Sequence, residues 1–166
     1  MQQSFRHGND NNLNPFLFLK TDQRTMSYLD NIRNNGRSAN PFFCLMGIEI
    51  AESGPGKAVL KMQVRPDMLN GVGWLQGGLL VALADEAMVL ALYPLLSPDE
   101  GIATISESTS FVKGTQKGVI CAEGTVLKKG RRVAFCEGEV SWMENGEKVL
   151  LSRTTAAFAV TSPSGK

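Results

Sequence analysis

The stretch Asn70-Gly71-Val72-Gly73-Trp74-Leu75-Gln76-Gly77-Gly78-Leu79-Leu80-Val81-Ala82-Leu83-Ala84-Asp85-Glu86 decides the reading of this chain. It joins a glycine-rich turn to an apolar helix and sets two acids in the middle of that helix. A buried Asp or Glu is rare unless it is paired or functional. Glycines at a helix start expose backbone N–H groups where the helix dipole is positive. A carboxylate and an N–H pocket together are the minimal equipment for hydrolysing an activated acyl group.

The pattern predicts a helix from about Gln76 to Tyr93, ended by Pro94. Leu79, Leu80, Val81, Leu83, Met88, Val89, Leu90 and Leu92 leave no polar face apart from the two acids. A helix apolar on every side is buried on every side. Gly77, Gly78, Ala82, Ala84, Ala87 and Ala91 are small enough to let it sit close to a sheet.

Upstream, Leu45–Ala51 and Lys57–Val64 are β-rich runs. The spacer Glu52-Ser53-Gly54-Pro55-Gly56 between them has hairpin-loop chemistry. Asp67–Gly73 is an irregular connection. Downstream, only strands follow: about 101–113, 118–129, 131–143 and 147–161. Lys129-Gly130-Arg131 and Glu144-Asn145-Gly146-Glu147 are tight turns, the second with an Asn-Gly hairpin signal. Ala134, Cys136, Val140 and Trp142 alternate with Glu137, Glu139 and Ser141, which marks a strand with one buried face. The order is two strands, one buried helix, then a four-strand meander. An α+β fold satisfies it: one long antiparallel sheet wrapped around a central helix.

Before this domain, Met26, Leu29 and Ile32 recur every three residues, predicting a short docking helix within Thr21–Ile32 that stops by Gly36. The expected organisation is a disordered tail over 1–14, a helical extension over 15–40, the folded domain over 41–161 and a short tail over 162–166.

Bulk composition excludes several functions. A net charge of +1 gives no electrostatic case for nucleic acid. The only histidine is His7, in a polar tail, so Ser-His-Asp relays and histidine-rich zinc sites are not expected. No metal or other cofactor is implied. Cys44, Cys121 and Cys136 are far apart with no CxxC pair, which suits free thiols in a reducing compartment. The first apolar run, Pro15-Phe16-Leu17-Phe18-Leu19, is too short for a secretory signal. The best membrane-span candidate is expected to be broken by Asp85 and Glu86. A cytoplasmic location with no membrane partner follows as the expectation.

With the glycine turn and helix in this order, residues 41–161 resemble the hotdog-fold acyl-CoA thioesterases. The likeness is greatest to the phenylacetate-pathway and 4-hydroxybenzoyl-CoA branch. That family has Asn, a glycine spacer, His-Gly-Gly, and an acid nine residues after the His. Here Asn70 precedes Gln76 by six, Gly77-Gly78 follow, and Asp85 stands nine after Gln76. Thr104 and Phe111 match the family's next strand, and Gly130-Arg131 and Asn145-Gly146 its later turns. Two positions depart: Gln76 replaces the usual His, and Phe111-Val112-Lys113-Gly114 lacks a common proline. A Gln amide still donates a hydrogen bond but carries no proton.

The resemblance implies that Asp85 is the general base or nucleophile and that the Gly77 and Gly78 N–H groups polarise the thioester carbonyl. Gln76 would orient that carbonyl. Asn70 would hydrogen-bond the site or close the loop, and Thr104 would position the attacking water or Asp85. Periodicity alone leaves Glu86 open beside Asp85. Gly77 and Asp85 stand eight residues apart, about 12 Å along one helix. A site using both on one carbonyl needs them from two subunits, so a homodimer is expected, with further pairing into a tetramer. The implied substrate is an acyl-CoA. Lys128, Lys129, Arg131 and Arg132 offer a basic hairpin for its phosphates, or simply a solvated tip. Competing readings are a non-catalytic acyl-CoA-binding hotdog protein, and a dehydratase that would lack its histidine. Trp74, Met88 and Phe111 face either an acyl pocket or ordinary core.

Overall fold

The computed structural model describes residues 27–144 and 146–162. The predicted tail at 1–14, residues 163–166 of the predicted tail at 162–166, His7, and the first half of the Thr21–Ile32 helix lie outside the described residues. Ser27 caps the first described helix, α1 (Tyr28–Asn35), its Oγ accepting from the Asp30 N–H at 3.2 Å. Gly36 ends α1 at φ 54°, as the sequence predicts.

The strands do not begin near Pro41. Pro41–Met46 is a second helix, α2. Asn40 Oδ1 accepts from the Phe42 N–H at 3.0 Å, Pro41 opens the first turn, and Gly47 closes it at φ 68°. An Asn cap, a proline at the first position and a left-handed glycine are each helix-boundary chemistry. They outweigh the β-rich look of this run and delay the first strand, β1, to Ile48–Gly54. β2 spans Lys57–Gln63 and returns antiparallel on β1.

The central helix, α3, is Gly77–Leu92, and a 3-10 turn continues it through Tyr93–Leu95. The helix expected from Gln76 to Tyr93 is present; what is corrected is the expectation that Asp85 and Glu86 break the run as a membrane-span candidate. The run Gly77–Leu95 has a mean hydropathy of 1.7 and passes, by length and composition, as a membrane-crossing helix. Within this fold the sheet takes its apolar surface: Leu80, Leu83, Ala84, Ala87, Met88, Leu90, Ala91 and Leu92 are buried.

The remaining strands are β3 (Gly101–Phe111), β4 (Val119–Lys129), β5 (Val133–Glu144) and β6 (Glu147–Thr161). The sheet order is β1-β2-β4-β5-β6-β3, with every neighbouring pair antiparallel. Only β4-β5-β6 form a meander. β3 is carried to the far edge, where it pairs with β6. The place beside β2 belongs to β4, and Gly124 on β4 is the residue against which α3 seats. A Cβ built at Gly124 would lie 2.3 Å from the Ala87 carbonyl carbon. Gly138, its cross-strand partner on β5, lies beneath Ala84 and Met88. The alternation read over Ala134–Trp142 holds as far as Val140: Ala134, Cys136 and Val140 are buried against the helix, but past an irregularity at Val140/Ser141 it is Ser141 that is buried and Trp142 that is half-buried.

Candidate active site

Asp85 sits midway along α3. Met88, one turn later, packs with Cys136, Ala156 and Phe158, so this side of the helix looks onto β5 and β6. Asp85 Oδ1 is shut off from solvent and has no hydrogen-bond partner among the described residues. Burial, and then the Glu107 charge, push its carboxyl up to about 6. Burial, with Asp85 as the lesser cause, pushes the Cys136 thiol up to about 11. Asp85 is therefore a partly buried acid with a raised proton affinity, poised for proton transfer near neutral pH.

Glu86 turns a different way. Its Oε2 accepts from Asn40 Nδ2 at 3.4 Å, and the same Nδ2 reaches the Tyr28 hydroxyl at 3.2 Å. The Tyr28 ring lies 5.0 Å from that of Tyr93. Burial first and Asp85 second raise the Glu86 carboxyl, and the Asn40 bond opposes them. Glu86 thus holds α1 and α2 against the central helix.

At the helix start, Gln76 is the N-cap, exposed and without a side-chain capping bond. Its N–H donates to the Met68 carbonyl at 3.0 Å, and its own carbonyl accepts from the Leu79 N–H at 2.9 Å. The Gly77 and Gly78 N–H groups have no carbonyl partner within their own helix. A Cβ built at Gly77 would lie 3.2 Å from Phe111 Cε1, so that ring covers the first turn. Around a Cβ built at Gly78 there is open space. Asn70 Oδ1 accepts from the Val72 and Trp74 N–H groups at 3.0 and 3.1 Å. It shapes the loop that presents the helix start, the turn function weighed against direct contact with substrate. Thr104 is exposed on β3, in register with the buried Phe158.

These residues do not converge within one chain. Gly77 and Asp85 belong to one continuous helix, and eight residues of α-helix separate them by about 12 Å. The basic hairpin is also remote from the helix start. It lies at the sheet end where Val133 registers with Ala159 and Gly101 with Thr161. α3 finishes at that end, with the Ala91 carbonyl accepting from the Gly56 N–H and the Gly56 carbonyl from Val126. Lys129 is paired there with Glu100 at 3.0 Å. Trp74 lies against Gly114 and Met88 is wholly buried.

Glu107 was not apparent from the sequence. Strict alternation along β3 separates it from Thr104. A bulge between Thr104 and Ser106 removes one step, so Thr104 opposes Phe158 and Glu107 opposes Ala156. Both partners are buried beneath α3. Among the described residues, no group of three or more His, Cys, Asp or Glu could hold a metal ion. Cys44, Cys121 and Cys136 are free thiols.

Residues 73–148 match the family model for the thioesterase superfamily. A 1,4-dihydroxy-2-naphthoyl-CoA hydrolase of Listeria monocytogenes is 28% identical over 68% of this chain and 90% of its own length. A Mycobacterium tuberculosis protein described as a candidate esterase is 30% identical over 55% of this chain and 68% of its own. Among solved structures, a mutant form of the phenylacetic acid degradation protein PaaI from Thermus thermophilus superposes with a TM-score of 0.64 at 27% identity. That match covers 72% of this chain and 98% of PaaI. A central helix wrapped by a long antiparallel sheet agrees with these relatives: the chain belongs to the thioesterase superfamily, has the hotdog fold and is a thioester hydrolase.

Proposed function

We propose that the protein hydrolyses an acyl-CoA thioester to the free acid and coenzyme A, without a cofactor, at a site shared by two copies of the chain. The observation that carries this reading is the solvent-shielded Asp85 Oδ1, which no donor among the described residues satisfies. A structural acid at such a place would have a partner, as Glu86 has in Asn40. Asp85 is assigned over Glu86 on that contrast and on its spacing from Gly77.

In this reading the Gly77 and Gly78 N–H groups bind the thioester oxygen at the positive end of α3. Asp85 of the other copy takes a proton from water as the water oxygen attacks the carbonyl carbon; the C–S bond then breaks, and the departing thiolate takes that proton to become coenzyme A. Alternatively Asp85 attacks the carbon itself, the C–S bond breaks to a thiolate that water protonates, and a second water hydrolyses the resulting mixed anhydride to the free acid and the Asp85 carboxylate. Gln76, exposed beside Gly77, donates to the carbonyl or to its approach. Asn70 acts through the loop it closes, and Thr104 faces the helix side of β3.

The second copy has a place to bind. β3 is an edge strand with exposed Ile105 and Phe111, and a long unpaired edge is a template for another strand. Joining two β3 edges antiparallel sets two α3 helices side by side, which one chain alone does not do. A homodimer, with dimers pairing into tetramers, and a cytoplasmic location complete the proposal.

The test is hydrolysis of phenylacetyl-, benzoyl-, hexanoyl- and palmitoyl-CoA, read as free thiol, with wild type and Asp85→Asn side by side. Light scattering gives the mass in solution. Turnover lost in the variant, in a particle of at least two chains, supports the assignment. Binding without turnover on every ester would leave an acyl-CoA binder, and an active monomer would remove the shared site.

A further inference from the structure

We propose that Glu107 is a positioning residue of this site: from the helix-facing side of β3 its carboxylate stands opposite Asp85 and acts on the reaction through it, by like-charge repulsion. The inference rests on the reading of Asp85 as the reacting acid.

The geometry comes from three rows of the fold. Ala84 sits on Gly138, with a built Cβ at 138 lying 3.2 Å from Ala84 Cβ, which fixes α3 over β5. The next helix position, Asp85, and Met88 one turn on then look across β5 and β6 toward β3. In that direction Cys136, Ala156 and Glu107 form one cross-strand row, since Cys136 registers with Ala156 and Ala156 with Glu107. Cross-strand partners share a face of the sheet. Cys136 and Ala156 are buried under the helix, so the Glu107 side chain leaves β3 on the same side. The bulge at Ile105 is what puts it there.

Few charges share this space. On the helix-facing side, β4 presents Ile120, Ala122, Gly124, Val126 and, past its bulge, Lys129, and β5 presents Ala134, Cys136, Gly138 and Val140. β6 presents Ser152, Thr154, Ala156 and Phe158, and β3 presents Ile102, Thr104, Glu107 and Thr109. β2 and β1 add Ala58, Leu60, Met62 and Ile48. The titratable groups among these are Glu107, the Cys136 thiol and Lys129, with Glu86 following on α3 itself. Lys129 lies at the last position of β4 and is paired with Glu100 at 3.0 Å. Thr109 and Thr154, the next row along, bond each other at 2.8 Å through their hydroxyls. Asp85 therefore faces the exposed Glu107 carboxylate across the sheet, and that charge repels its ionised form. The effect is to keep Asp85 a stronger base than a solvated carboxylate while it remains mostly ionised at neutral pH.

The test is direct titration of Asp85 by carbon NMR in the full-length protein with 13C-labelled aspartate, its resonance assigned by its loss in Asp85→Asn. Glu107→Gln is expected to lower the Asp85 midpoint by roughly half a unit. Glu107→Asp, which keeps the charge, is expected to leave it near the wild-type value. The acid limb of the kcat/KM profile should move with the midpoint. An Asp85 midpoint that is the same in wild type and Glu107→Gln overturns the inference, whatever the activity. A moved midpoint in a protein whose turnover survives Asp85→Asn would uphold the electrostatic contact and overturn the assignment of Asp85 as the reacting acid. That outcome would also remove the role of Glu107 in the reaction.

Discussion

Gly124 on β4 and Ala87 on α3 meet backbone to backbone: a Cβ at position 124 would lie 2.3 Å from both the carbonyl carbon and the oxygen of Ala87. Neither atom belongs to a side chain that can rotate away. The contact sets the height of α3 above the sheet and, through it, the depth of Asp85. Gly124→Ala is expected to destabilise the fold by about 3 kcal/mol or more, beyond the usual cost of overpacking because backbone must shift. Gly138→Ala should cost less, since its nearest neighbours include the Ala84 and Met88 side chains at 3.2 and 3.4 Å. Thermal unfolding of the two variants checks the order.

Asp85→Asn is expected to lower kcat by roughly 10²–10⁴-fold, the usual worth of a placed proton acceptor. Stability should move the other way at neutral pH. The folded chain raises this carboxyl from 3.8 to about 6, so it binds the proton more tightly than the unfolded chain does. Its contribution to stability is greatest below pH 3.8, falls as pH rises to about 6, and stays low above that. The difference in Tm between Asp85→Asn and wild type should therefore widen in favour of the variant across that window. A difference that stays flat with pH would mean that Asp85 is not a desolvated acid.

For the wild-type enzyme, kcat/KM should fall as pH drops through about 6, where the Asp85 carboxylate takes up its proton. A profile that holds its plateau down to pH 4 would assign the reaction to another group.

Asn40 carries three bonds at once: Oδ1 caps α2 through the Phe42 N–H, and Nδ2 bridges Tyr28 and Glu86. Asn40→Ala removes the cap and leaves Glu86 in a partly buried place without that donor. A loss of about 1–2 kcal/mol is expected. Amide exchange should quicken in α1 and α2 before the sheet responds, and kcat should change little, because Glu86 is not in the proposed reaction.

Gln76→Ala should lower kcat about 10-fold if its amide serves the carbonyl, the scale of one lost hydrogen bond, and Gln76→His should restore most of it. Equal rates for all three residues would reduce Gln76 to an N-cap.

The elements of the domain were largely legible in the chain. Leu80 to Leu92 read as a helix buried on all sides, and Ala134 to Val140 alternates as a strand should. The turn at Gly130 and the stop at Gly36 were equally plain, because glycine at such places is a local requirement. α2 was misread although its Asn40, Pro41 and Gly47 signals are local too: Phe42, Phe43 and Leu45 suit a strand as well as a helix.

What the sequence by itself determined was the buried helix, its glycine start, and an acid too far from that start to serve it within one chain. Each follows from residue type and spacing along a single element. Tertiary structure alone decided three further points. It sent β3 to the sheet's far edge rather than beside β4, turned Glu86 toward Asn40 while leaving Asp85 Oδ1 without a partner among the described residues, and put Glu107 on the helix-facing side of β3. Those outcomes depend on how α3 seats on Gly124 and on one bulged residue, Ile105, which exchanges the faces of a strand; neither a contact between distant segments nor a single-residue slip leaves a mark in the order of side chains.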